Sequence, residues 1–271
     1  SRLLNRVDAG LWFLLVVSLP VTSLPLVSAL VGGSMVAPPA GLLALVLVGV
    51  WLLPQWIKRR GLLPHAVPLV VFFAAAVISC LAAYFIEFPA FRTVNFTRQQ
   101  LVELATLVVG VGTFLLAAAY PQDERRMRAT LRWLNWSGLA LLLWSALQFG
   151  LWQWKEVYPE WMVVAQSWFS TTKLFPGRVT GFALEPSWLA HQLNMLYLPL
   201  WLATSVRRFS AHGWRVMKLS FENLLLAGGV VVLWLSLSRV GLLAFLLMLG
   251  LVFILLNAGL VGWLQGRILA R

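Results

Sequence analysis

The chain has 271 residues, of which 61% are hydrophobic and 11% charged, and its mean hydropathy is +0.85. Soluble domains carry about 25% charge, so the composition excludes an ordinary soluble protein and points to a polytopic membrane protein. The net charge of +12 does not point to nucleic acid, because the basic residues sit in short connections without groove-reading or base-stacking elements, and the lone Cys80 excludes an intrachain disulfide and leaves thiolate metal ligation without support.

A helix needs about 20 apolar residues to cross a bilayer. Windows of that kind fall near 10–31, 36–55, 66–87, 100–120, 134–154, 185–205, 219–237 and 239–257. The sequence therefore predicts an all-α transmembrane bundle of about eight spans, forming a single transmembrane domain. The first window follows Arg2 and Arg6 and reads as a retained span rather than a signal peptide. Pro20 and Pro25 inside it, and Pro38, Pro39 and Pro54 around the second, predict kinks or local unwinding.

Sides follow from the basic residues. With a cytoplasmic N-terminus, fifteen of the 21 Lys and Arg fall inside, in the N-terminal segment and at Lys58 to Arg60, Arg125 to Arg132, Arg207 to Lys218, and Arg267 and Arg271. Counting acids, the net charge is +11 inside and +1 outside, which predicts cytoplasmic N- and C-termini. The longest outer connection, 155–184, holds Trp161 and Trp168 with Tyr158, Met162 and Phe169. Such an amphipathic stretch is expected to lie in the membrane surface; a lid over a lipid-linked substrate is the functional alternative.

That connection ends in Pro176-Gly177-Arg178-Val179-Thr180-Gly181-Phe182-Ala183-Leu184-Glu185-Pro186-Ser187-Trp188, which sets an arginine and a glutamate at the mouth of an apolar helix. Ionisable groups there face a cavity, a partner or a ligand. Pro186 suits the first turn of a helix, so Glu185 falls at its N-cap, where the helix dipole favours an anion. Ser187, His191 and Asn194 follow at the spacing of one helical stripe. A second arginine stands in Leu235-Ser236-Leu237-Ser238-Arg239-Val240-Gly241, where two spans meet with almost no loop. Abrupt joins and broken helices at membrane depth frame binding sites, although a snorkelling arginine at the lipid interface is the plainer reading. Two guanidinium forks suit a phosphate or diphosphate, and a nearby carboxylate or imidazole would take a proton from an incoming hydroxyl. Arg92 and Arg98, with Glu87 and Glu103, form a further outer cluster that is expected to pair internally or to widen the positive site. The sequence has no phosphate loop, metal-binding His/Cys spacing or nucleophile elbow.

The pairing of GRVTGFALEPSWLAHQL with LSLSRVGLLAF resembles the O-antigen ligase and O-antigen or exopolysaccharide polymerase family of bacterial membrane glycosyltransferases, over roughly residues 100–257. The resemblance implies transfer of a glycan from a polyprenyl diphosphate carrier to an acceptor glycan at the outer face of the bacterial inner membrane, with no metal or other cofactor. It implies that Arg178 and Arg239 engage the diphosphate and that Glu185-Pro186-Ser187 is the helix-opening turn. The residues themselves add Glu185 as the group that positions the acceptor or acts as base, completing a catalytic set of Arg178, Arg239 and Glu185, and Ser187, His191, Ser238, Arg92 and Arg98 as substrate-binding candidates. The Glu-Pro-Ser turn is more similar to polymerases than to ligases, which tend to asparagine there. Members of that family usually continue into further spans and a long outer loop with a histidine proposed as base, so the expected match is to their amino-terminal portion. His191 occupies a different position and does not inherit that role. The rival reading is a non-catalytic membrane subunit or scaffold that packs against protein partners and binds lipid headgroups through its arginines. A transporter would call for inverted repeats, and the sequence shows none.

Overall fold

A computed structural model describes residues 2–59, 66–85, 95–216, 219–259 and 262. The protein is mostly helical, at 77%. Five helices are long and apolar enough to cross a membrane, spanning Pro39–Ile57, Val67–Phe85, Phe96–Ala119, Glu124–Lys155 and Arg239–Leu256. Much of their apolar surface is bare: Phe72, Ile78 and Leu81 on one helix and Leu243, Leu247 and Phe253 on another are all exposed. Water would penalise that surface and lipid does not, so this is a membrane protein.

The chain divides into two compact units, residues 1–19 with 38–133, and 20–37 with 134–271. The first unit opens with α1 (Arg2–Ser18). That helix stops short of the end of its apolar window because Pro20 offers no N–H to continue the ladder. The chain resumes as α2 (Pro25–Leu30), with Pro25 at the first helical position, in the second unit. Back in the first unit, α3 (Pro39–Leu47) runs through a π-turn (Val48–Leu52) into α4 (Leu53–Arg59). Then come α5 (Val67–Ala82) and α6 (Phe96–Ala119). Helix α3 packs between α1 and α6. Trp12 stacks on Tyr120 with ring centroids 4.6 Å apart, and Trp51 meets the same ring edge-on at 5.1 Å. The indole N–H of Trp12 donates to Thr130 Oγ1 at 2.8 Å.

Helix α7 (Glu124–Lys155) carries the chain into the second unit. There follow α8 (Glu160–Phe169), α9 (Pro186–Gln192), a π-turn (Leu193–Tyr197), α10 (Leu198–Val206), a hairpin of β1 (Arg215–Val216) with β2 (Leu219–Ser220), α11 (Phe221–Leu235) and α12 (Arg239–Leu256). Trp201, fully buried, is the centre of this core. It fits because Gly138 on α7 and Gly229 on α11 lack side chains: a Cβ at either would lie 2.5 and 2.8 Å from its ring.

Both π-turns end two residues before a proline, Leu52 before Pro54 and Tyr197 before Pro199. Each widened turn closes with an i to i−5 bond, Leu53 N–H to Val48 O and Leu198 N–H to Leu193 O. A proline clashes with the carbonyl four residues back and cannot bond to it, and the wider turn moves that carbonyl aside without ending the helix.

Candidate functional site

The site is assembled within the second unit from the loop between α8 and α9, the first turn of α9, and the turn joining α11 to α12. The loop is held from beneath by an uncharged polar residue in an apolar helix. Gln148 on α7, fully buried, accepts from the backbone N–H groups of Thr180 and Gly181, both at 3.0 Å, and donates to the Gly181 carbonyl at 3.1 Å. Gln166 on α8 donates to the same carbonyl at 3.3 Å and accepts from Gln148 Nε2 at 3.2 Å and from the Trp144 indole at 2.9 Å. Gly181 has φ of +57°, and a Cβ there would lie 2.5 Å from Leu141 Cδ1, so the loop approaches α7 too closely for any side chain. At its far end the Leu184 N–H donates to Thr22 Oγ1 at 2.8 Å, and Thr172 Oγ1 donates to the Leu184 carbonyl.

Arg178 projects from this clamped loop onto the end of α11. Its Nε donates to the Ser236 carbonyl at 3.1 Å, and the next backbone N–H, of Val179, donates to Leu235 O at 3.3 Å. The Nε donor is therefore spent on a carbonyl at the end of a helix, and among the described residues no hydrogen bond engages the two terminal amino groups. The turn that follows is three residues long, and Leu237 within it has φ of +50°, a conformation that costs a non-glycine residue about 1–3 kcal/mol and persists only where surroundings enforce it. Ser238 caps α12 by accepting from the Gly241 N–H at 3.2 Å. Arg239 is the first residue of that helix and exposed, and among the described residues no hydrogen bond or ion pair engages its side chain.

Glu185 is exposed at the N-cap of α9. Its carboxylate does not cap the helix, the backbone carbonyl taking the Trp188 and Leu189 N–H groups. It accepts instead from Ser187 Oγ at 3.3 Å. Helix α9 lies against the start of α12 so closely that a Cβ on Gly241 would sit 2.5 Å from Ala190 Cβ. Asn194 reinforces the join, donating to Ala190 O at 3.0 Å and to Gly241 O at 2.8 Å. The segments carrying Arg178, Glu185 and Arg239 are thus direct neighbours. Of the expected stripe, Ser187 and His191 are exposed, while Asn194 turns into the α9–α12 contact.

Arg98 is exposed near the start of α6 in the first unit. Glu87 and Arg92 lie outside the described residues, and Glu103 accepts from Gln99 Nε2 at 2.7 Å. Asn95 accepts from the Arg98 N–H at 3.2 Å as the helix cap. Sequence reasoning missed Gln148 and Gln166. Their signal is an uncharged amide in an apolar run, which a buried site tolerates only with partners. No protein-family profile, curated protein or solved structure matches this chain.

Proposed function

We propose that the chain is an eight-span bacterial inner-membrane glycosyltransferase segment, with both termini cytoplasmic, that transfers or polymerises glycan from a polyprenyl diphosphate carrier at the outer face. The observation that carries this reading is the coupling of Arg178 to the α11–α12 turn, through Ser236, three residues before Arg239. Arg178 and Arg239 stand on adjacent backbone segments, and Glu185 stands at the N-cap of the neighbouring α9. The charge distribution along the sequence supports the orientation.

On this reading Arg178 and Arg239 pair with diphosphate oxygens and take up the charge that grows on them as the anomeric carbon–oxygen bond breaks. The acceptor hydroxyl oxygen forms the new bond to that carbon. Its proton passes to Glu185 or, where Glu185 only aligns the hydroxyl, to the departing diphosphate. Ser187, His191 and Ser238 border the same region and would contact sugar or phosphate.

Arg239→Ala provides the test, because its exposed side chain engages no hydrogen bond or ion pair among the described residues. Binding of a polyprenyl diphosphate, followed by native mass spectrometry, should weaken about tenfold or more, the value of one charge-assisted hydrogen bond, and polymer formation should be lost at unchanged protein abundance. An unchanged glycan chain-length distribution in Arg239→Ala overturns the transferase reading and favours the scaffold.

A further inference from the structure

Helix α8 presents three different sectors. At 3.6 residues per turn, Met162, Gln166 and Phe169 share one side, and the first two are fully buried, at 0% and 2% exposure. Trp161, Val164 and Trp168 share a second, exposed at 52%, 47% and 66%. Glu160 and Ser167 form a third, also exposed. The height of this helix is fixed by its neighbours. Helix α7, a candidate span, ends at Lys155 just before it, with Trp154 exposed at 78% and the Lys155 ammonium 5.0 Å from its ring centroid. The apolar sector therefore stands at the membrane surface, where indoles settle between acyl chain and headgroup.

We infer that α8 is a lipid-seated strut: Trp161, Val164 and Trp168 insert into the headgroup layer on the side where α7 ends, Glu160 and Ser167 face water, and Gln166 carries that position to the Gly181 carbonyl. The occupant of the apolar sector is lipid because both indoles and Val164 are exposed on one flank of Glu160 and Ser167 while only Val163, exposed at 45%, stands on the other, the asymmetry expected of an in-plane helix. The depth of the Arg178 loop is then set by the membrane itself, through the bond from Gln166 to Gly181. This surface does not depend on the transferase reading, since it follows from burial and span position alone.

The test places a nitroxide label at Val164→Cys and, separately, at Ser167→Cys, each in the full chain carrying Cys80→Ser, in vesicles of phosphatidylcholine and phosphatidylglycerol. Collision with oxygen relative to a water-soluble nickel chelate should be several-fold greater at 164 than at 167. Equal ratios, the reverse order, or a label at 164 immobilised as it is under a protein partner overturns the inference. Brominated phosphatidylcholine gives an independent reading: the emission that Trp168→Phe removes should be strongly quenched in the parent protein, and unquenched emission overturns the inference as well.

Discussion

Gln148 Oε1 accepts the Gly181 N–H at 3.0 Å while Gln148 Nε2 donates to the Gly181 carbonyl at 3.1 Å, so one side-chain amide satisfies both backbone polar groups of a single loop residue. A loop near apolar spans has no nearby strand to pair with, and the amide takes that place. Gln148→Leu keeps the volume and strands the Thr180 and Gly181 N–H groups in a buried position. Each stranded group costs about 1–3 kcal/mol, so a loss of about 3 kcal/mol is expected. Thermal unfolding of the solubilised protein should show a melting temperature lower by about 6 °C or more, and an unchanged value means that the amide does not hold the loop.

Ala190 and Gly241 set the spacing of α9 and α12. Gly241→Ala places a Cβ 2.5 Å from Ala190 Cβ, and neither helix has a flexible side chain there to yield, so about 1–3 kcal/mol should be lost. Ala190→Gly alone should also destabilise, by up to about 1 kcal/mol, through helix propensity. Combined, the two exchange the methyl group across the contact, and the double variant should be more stable than Gly241→Ala alone. Additive losses in that cycle would place the two helices farther apart than described.

The long spans were legible because nothing in them competes with helix: the window 100–120 lies within α6 but for its last residue, and 239–257 nearly coincides with α12. The prolines announced disturbance but not its form. Pro20 follows the end of a helix, whereas Pro54, and with it Pro199, which the sequence pattern had not singled out, is absorbed by a π-turn. The candidate site was singled out by its charged members, since Arg178, Glu185 and Arg239 stand out against an apolar background. The residues that position them were not. Gln148 and Gln166 gain their meaning only from the loop they bind, 33 and 15 residues away, and such pairing leaves no local pattern.

A second buried polar group, at the other end of α11, follows the same logic. Asn135 donates to Glu222 Oε1 at 3.1 Å and accepts from the Trp201 indole at 3.0 Å, and the Ala211 N–H donates to the same carboxylate oxygen at 2.9 Å. Asn135 and Glu222 are each 1% exposed. Asn135→Leu removes a donor from a buried carboxylate and the acceptor from a buried indole, at an expected cost of about 3 kcal/mol. Glu222→Gln keeps an acceptor for both donors and should cost about 1 kcal/mol. Chemical denaturation should rank Asn135→Leu as the more destabilised variant; the reverse ranking would show that charge, not acceptor geometry, is what this cluster requires.

Tyr158 offers a pH-dependent handle on the connection between α7 and α8. Its O–H donates to the Phe175 carbonyl at 3.0 Å, and burial pushes its phenol above the ordinary 10.0. A raised folded-state pKa means that the fold prefers the protonated phenol, so its contribution is fully present below the unfolded value and is lost as pH rises through the folded one. Tyr158→Phe should therefore cost about 1 kcal/mol at neutral pH. The stability gap between parent and variant should narrow above pH about 10, where a free phenol ionises, because a phenolate has no proton to donate. Thermal scans of both proteins across that range decide the matter: no gap at neutral pH would mean that the Tyr158 hydrogen bond contributes nothing to holding the loop that carries Arg178, and a gap that stays constant as the pH rises would mean that folding does not favour the protonated phenol.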